Sequence, residues 1–369
     1  MGYLFFLLLA SSFIRYSSAT YRLVEDYSGD AFWQGFDFFT DPDPTDGLVQ
    51  YQSLESANAT GLAGFIDGDN STYAIFMGVD TQKVTPDGRA SVRVSSTKSF
   101  QHALVIADIV HMPGGVCGTW PAFWMLGADW PNNGEIDIVE GVNDQASNSM
   151  TLHTAAGPVI EKLADFSGNL LTADCDVNAV NQPKNAGCSI GDTSNLTFGS
   201  DFNNVGGGVF ATEWTSEFIK IWYFQRGTFP SDIVSSTPDP TNNWGTPNSV
   251  FQGQFNMDDH FKDLQLIFDT TFCGQWAGQV WNSSPCASLA PTCEEYVANN
   301  PGDFVEAYWA INTLQVFQDD RDGQGKDTPG SNNGKPPSGG PPGSPGPGAQ
   351  PPKQVQRRSG KGVMPIYFQ

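Results

Sequence analysis

Glu135-Ile136-Asp137-Ile138-Val139-Glu140 places three carboxylates in a run whose other members are all aliphatic and β-branched. Strand side chains alternate faces with a period of two, so Glu135 and Asp137 share a face while Ile136 and Ile138 point into an apolar layer. Simple alternation then puts Glu140 on the apolar side. One extra residue at Val139, a β-bulge, rotates Glu140 back beside the other two acids. The segment is therefore either a broken acidic cluster or a bulged strand with three carboxylates on one face, and the bulged strand is the expectation.

Working outward, the 369-residue chain is 39% hydrophobic and 12% aromatic, enough for a sizeable core. No long stretch shows apolar residues at helical spacing. Strands are expected at Ala90 to Ser95, Ala103 to Val110, Ala122 to Leu126, Glu135 to Val142, Ser149 to Thr154, Phe218 to Phe224, Leu264 to Phe268 and Ala310 to Phe317, punctuated by Gly, Pro and Asn turns. Short helical turns fit Gly29 to Phe36 and Cys293 to Asn299. Many strands without intervening helices imply an all-β fold of two packed antiparallel sheets, a sandwich or jelly roll.

Residues 1–19 hold the apolar run Leu4 to Leu9 followed by Ser17-Ser18-Ala19, the pattern of a cleaved signal peptide and too short to span a bilayer. Residues 20–319 show no composition break and read as one domain. Residues 320–369 are rich in Pro and Gly from Gly323 to Pro352, cannot bury enough surface to fold, and read as a disordered basic tail. The six cysteines lack a Cys-x-x-Cys pair, which favours disulfides in a secreted protein; Cys175 and Cys188 are expected to close a local loop, and the remaining pairings stay open. Glycosylation triplets at Asn58, Asn70, Asn195 and Asn282 agree with a secretory route.

Formal net charge is −22; the tail from Asp320 carries seven basic residues against three acidic, so the remainder stands at −26. A body that negative repels nucleic acid and anionic membranes and suits a neutral partner such as a polysaccharide. Retaining hydrolysis of a glycosidic bond needs one carboxylate to attack the anomeric carbon and one carboxylic acid to protonate the leaving oxygen, about 5 to 5.5 Å apart. Two glutamates on a bulged strand can lean together to that distance, with Asp137 between them pushing their proton affinities apart. Acids on a strand are commonly a solvated outer face. Here Trp120, Trp124 and Trp130 lie just upstream, and indole faces beside acids stack sugar rings. His153 could face either way. His102, His111 and His260 are scattered without metal-ligand spacing, and no Gly-x-Ser-x-Gly elbow occurs, so neither a catalytic zinc site nor a serine hydrolase is supported.

The run Asn133 to Asn143, preceded by Gly118-Thr119-Trp120-Pro121-Ala122-Phe123-Trp124, resembles glycoside hydrolase family 16, in particular fungal secreted endo-β-1,3(4)-glucanases of the laminarinase type. Phe36 to Thr45, Gly47 to Tyr51, Phe272 to Gly278 and Ala307 to Asn312 extend the likeness over most of the body. The resemblance implies a β-jelly-roll with a concave cleft and a double-displacement mechanism. Within it Glu135 matches the nucleophile, Asp137 its assisting acid and Glu140 the general acid/base. Trp124, Trp130, His153 and Trp276 match cleft-lining positions, and Arg93 is placed in reach of the cleft. The Glu-x-Asp-x-x-Glu spacing is that of laminarinase-like members. The expected partner is a β-glucan (laminarin, lichenan or cell-wall glucan), acted on by a monomer that binds no nucleic acid or membrane and requires no cofactor, with a structural calcium ion left open. The competing readings are a cell-wall glucan transglycosylase and a non-catalytic glucan-binding protein.

Overall fold

The computed structural model describes residues 21–67 and 73–319, together with the backbone of two further strands, Val355–Ser359 and Gly362–Tyr367. The acidic run forms the strand Glu135–Glu140 in the interior of an eight-stranded sheet. Across that sheet the order is Asn169–Thr172, Cys188–Gly191, Ser149–His153, Glu135–Glu140, Thr119–Leu126, Leu264–Phe272, Arg93–Phe100 and Phe36–Phe38. A ten-stranded sheet packs against it, centred on the antiparallel pair Ala103–His111 and Trp309–Asp319. Gly208–Trp214, Ile219–Gln225 and Ser249–Phe251 extend this second sheet on one side, and Tyr73–Met77 and Ala63–Asp67 on the other. The result is the expected all-β sandwich. The acidic strand pairs with the strands just before and just after it in sequence, while Leu264–Phe272 and Arg93–Phe100 join the same sheet from far along the chain.

Seven of the eight expected strands are present with shifted ends, and the one expected over Ala90 to Ser95 is divided at Val92 into Arg89–Ser91 and Arg93–Phe100, which pair in different sheets. The acidic strand stops at Glu140, whereas the one expected over Leu264 to Phe268 runs on through Phe272. The expected helical turns are Asp30–Gly35 and Cys293–Asn299; the second is capped by Thr292, whose side chain accepts from the Glu295 N–H. The proposed signal peptide, the glycosylation triplet at Asn70 and the Gly323 to Pro352 spacer lie outside the described residues. Two segments of the region read as a structureless tail, Val355–Ser359 and Gly362–Tyr367, form a hairpin whose second strand pairs with Ala63–Asp67.

Between the sheets lies one continuous core. Ile136, Ile138, Met125, Phe123, Leu152 and Phe268 from the acidic sheet meet Val105, Ala107, Ile109 and Val316 from the other, all essentially without solvent exposure. A fully buried aliphatic side chain of this size contributes roughly 1.5–3 kcal/mol, so sliding the acidic strand by one residue, which would send Ile136 out and Asp137 in, is strongly opposed. Three disulfides reinforce the loops: Cys175–Cys188, as expected, and Cys117–Cys286 and Cys273–Cys293, which the sequence left open.

The bulge exists but sits one residue earlier than expected. Against the strand Thr119–Leu126, Asp137 pairs with Trp124, Val139 with Phe123 and Glu140 with Ala122, so Ile138 rather than Val139 is the residue without a partner. The physical reason is burial. Ile138 and Val139 are both fully enclosed in the core, and the bulge lets two consecutive aliphatic side chains enter the apolar layer before Glu140 turns outward.

Candidate active site

Cross-strand partners share a face of a sheet, so the register assembles the site directly. Glu135 stands opposite His153, and Asp137 opposite Thr151 on one side and Trp124 on the other. Glu140 stands opposite Ala122, which in turn pairs with Asp269, which pairs with Arg93. All these residues therefore lie on the face away from the core. His153, whose direction the sequence left undecided, is thereby fixed beside the acids and is 6% exposed. Asp137 is 2% exposed, while Glu135 and Glu140 are half-buried.

Contacts within this face are short and polar. Asp137 Oδ2 lies 3.3 Å from His153 Nε2, and one ligating atom each of Glu135, Asp137 and His153 fall within 4.8 Å of one another. The Trp120 indole Nε1–H donates to Glu140 Oε1 at 2.7 Å. The Trp130 indole donates to the Glu135 carboxyl, and a further hydrogen bond joins Glu135 to Asp137. Trp130 is 43% exposed at the rim. Trp276 meets Trp120 edge to face, with ring centroids 5.5 Å apart. The loop carrying Trp276 is fixed by Asn143, whose Oδ1 accepts from Gly118 N–H at 2.8 Å and whose Nδ2 donates to Ala277 C=O at 2.9 Å.

The crowding of like charges controls the protons. Burial and then Asp137 push Glu135 up to about 8, while His153 and the Trp130 N–H oppose the rise. Burial raises Asp137 as well, against the hydrogen bond from Glu135 and with Asp269 adding to the rise. Glu140 is driven well above the usual carboxylate range, first by burial and then by Asp137, against the Trp120 N–H. Carboxyls this closely coupled titrate as a cluster. All three carboxyls are raised, and the hydrogen bond between Glu135 and Asp137 shares a proton within that pair. One strand thus presents a carboxylate and a carboxylic acid together, the requirement for acid/base work on an uncharged bond.

Every residue that the sequence reading placed in the cleft lies on or beside this face. Arg93 is 7% exposed, with its guanidinium carbon 4.5 Å from the Phe39 ring centroid and 5.1 Å from that of Trp124. Sequence reasoning did not select Asp269, Tyr51 or Asn148. Asp269 Oδ1 accepts from Trp124 Nε1–H at 2.8 Å and Oδ2 from the Tyr51 hydroxyl at 3.1 Å. Asn148 is fully buried behind the bulge. A signal for Asp269 was its position directly after the apolar run Leu264 to Phe268.

A β-sandwich with proton-sharing carboxylates on a bulged strand, walled by indoles, defines a glycosidase. Comparison with known proteins narrows the class: a family model described as "XgeA-like, catalytic GH16 domain" matches residues 36–317, and the chain belongs to glycoside hydrolase family 16. It is 45% identical over 316 residues to an endo-1,3(4)-beta-glucanase of Arthroderma benhamiae, covering 85% of this chain and 68% of that one. It is 43% identical over 320 residues to a probable endo-1,3(4)-beta-glucanase of Aspergillus niger, covering 85% of this chain and 42% of the relative, so the chain spans less than half of that longer protein. Among solved structures, an elongating family 16 beta-1,3-glucosyltransferase is similar at 42% identity and a TM-score of 0.73, covering 81% of this chain and all (100%) of that one. Laminarinase 16A from Phanerochaete chrysosporium, with beta-glucans in donor and acceptor sites, is similar at 38% identity and a TM-score of 0.74, with the same coverage of 81% and 100%.

Proposed function

We propose that this chain is a secreted, retaining endo-glucanase that cuts β-1,3 and mixed β-1,3/1,4 glucans. The observation that carries the reading is the return of Glu140, through the bulge at Ile138, to the face that holds Glu135 and Asp137. In the first step Glu140 gives its proton to the glycosidic oxygen as that bond breaks, and the Glu135 carboxylate attacks the anomeric carbon to form a glycosyl ester. In the second, the Glu140 carboxylate takes a proton from water, whose oxygen displaces Glu135 from the anomeric carbon. Asp137, hydrogen-bonded to Glu135, orients the nucleophile and holds a proton within the pair. Two carboxyls and one water supply every proton and electron pair, so the reaction asks for no cofactor. The indoles of Trp120, Trp124, Trp130 and Trp276 offer apolar faces to the sugar rings. The relatives named as endo-1,3(4)-beta-glucanases support the substrate class, and three disulfides fit an oxidising, extracellular setting.

Azide rescue tests the two roles. Glu140→Ala, lacking the acid/base, is expected to yield a β-configured glycosyl azide, and Glu135→Ala, lacking the nucleophile, an α-configured one. The reverse pattern would exchange the assignments. Near-normal laminarin turnover by either variant would remove it from the machinery.

Transfer to another sugar in place of water is a second reading, favoured by the likeness to the elongating glucosyltransferase. Sizing the products from a single β-1,3-oligosaccharide separates the two: hydrolysis gives only shorter chains, and transfer gives chains longer than the donor.

A further inference from the structure

Asp269 is a carboxylate 6% exposed on the strand Leu264–Phe272, placed between Arg93 and Ala122 in the cross-sheet row that ends at Glu140. Burying a carboxylate costs several kcal/mol unless donors and an opposite charge compensate it. Both of its oxygens are occupied by donors on aromatic side chains, Trp124 Nε1–H at 2.8 Å and the Tyr51 hydroxyl at 3.1 Å. Burial is the largest influence and leaves the carboxyl pushed up to about 6, although Arg93 supplies the opposite charge and, with the two donors, draws it towards its ionised form.

These contacts have a geometric consequence for Trp124. Phe39 and Trp124 lie on the guanidinium of Arg93, at 4.5 and 5.1 Å. Arg93 thus covers one side of the indole, and Asp269 holds its edge through Nε1. The indole is held at its edge and on one side, and it is half-buried beside the acids, opposite Asp137. Between Trp120 and Trp124 the same strand carries Ala122, a small side chain that stands between Asp269 and Glu140 in the cross-sheet row. Arg93 Nε is buried among the Phe39 and Trp124 rings without a hydrogen-bond partner, so the guanidinium meets Trp124 by stacking and by charge.

Resting on the glucanase reading, we propose that Asp269 is a positioning residue: through Trp124 it fixes the indole platform on which a glucosyl unit is seated above Ala122, in line with the Glu135 and Glu140 carboxyls. Its neighbouring indole is held in a parallel way, Trp120 by Glu140 itself. On this strand two of the cleft indoles are thus each tied by the N–H to a carboxyl, Trp120 to one that carries chemistry and Trp124 to one that carries geometry. A carboxylate that merely stabilised the fold would affect binding equally with or without Trp124. A positioning residue acts only while Trp124 is present.

The test is a double-mutant cycle on Glu135→Gln protein, with laminariheptaose binding measured by calorimetry. Asp269→Ala is expected to weaken binding about tenfold where Trp124 is intact, the loss of a charge-assisted hydrogen bond. In the Trp124→Ala background it is expected to change binding by less than about twofold. Asp269→Asn keeps an acceptor for Nε1–H and is expected to stay within about threefold of the parent. Should Asp269→Ala fail to fold, the same cycle with Tyr51→Phe, which removes one donor and no charge, is expected to weaken binding about threefold only when Trp124 is present. Equal losses in both backgrounds, or none in either, overturn the positioning role alone. Absence of binding by the Glu135→Gln parent overturns the glucan reading together with it.

Discussion

Asn148 bridges the break that the bulge leaves beside Glu140: its Nδ2 donates to the Ile138 C=O at 2.8 Å, and its Oδ1 accepts from the Glu140 N–H at 2.9 Å. Pairing of the acidic strand with Ser149–His153 ends at Asp137, so these two main-chain groups would otherwise lack partners in the interior. One side-chain amide replaces a rung of the ladder and holds Glu140 in the orientation that the chemistry needs. Asn148→Ala should therefore cost about 1–3 kcal/mol of stability, the penalty for unsatisfied buried groups. It should also lower kcat at least about tenfold with a smaller change in KM, because it displaces a group that acts in the transition state. Thermal unfolding and laminarin kinetics measure both, and unchanged kcat would detach Asn148 from the acid/base.

Titration of the cluster couples the site to stability. Glu135 moves from an ordinary carboxylate value in the unfolded chain up to about 8 when folded, and Glu140 moves in the same direction. The folded protein thus binds more protons than the unfolded chain between roughly pH 4.5 and 8, so stability falls as pH rises through that window and is greatest below it. Melting temperature should decline from pH 5 to pH 8, and Glu135→Gln, which cannot ionise, should flatten the slope. A slope unchanged in Glu135→Gln would place its origin elsewhere.

The Trp120 N–H favours the ionised form of Glu140. Replacing Trp120 with Phe removes that donor and leaves burial and Asp137 unopposed, so Glu140 should hold its proton to higher pH. The alkaline limb of the kcat/KM profile should move upward in pH, with lower activity from the lost indole. Movement downward, or none, would mean that another group governs that limb.

The acidic trio was legible because its members lie within six residues of one another, and bringing Glu140 back to the face of Glu135 and Asp137 called for a bulge. Its exact position was not legible, since either aliphatic residue can occupy the core and only the pairing of Phe123 with Val139 decides. Asp269 escaped because polar Asp269, Thr270 and Thr271 look like the end of a strand, whereas here the strand carries them past Trp120 and Trp124. Its partner Tyr51 comes from the small parallel pair Val49–Tyr51 and Arg89–Ser91, separated from Asp269 by 218 residues. Local pattern can name groups that act along one strand. It cannot supply the neighbours that a fold brings to them from other strands.

Asn143 shows the same dependence at the far end of the site. Its backbone has φ of 56°, in the left-handed region that Asn tolerates better than most residues, and its side chain ties Gly118 to Ala277. The start of the Trp120 strand is thereby fixed to the loop that bears Trp276. Asn143→Ala loses both hydrogen bonds and adds backbone strain of about 1–2 kcal/mol, whereas Asn143→Gly loses the bonds without the strain. Both should raise KM for long glucans by a similar factor, because each frees the Trp276 loop, while only the alanine variant should show the additional drop in melting temperature. If Asn143→Gly bound and cleaved long glucans like the parent, the Trp276 loop would be held by other means, with the disulfide Cys273–Cys293 at its base the leading candidate.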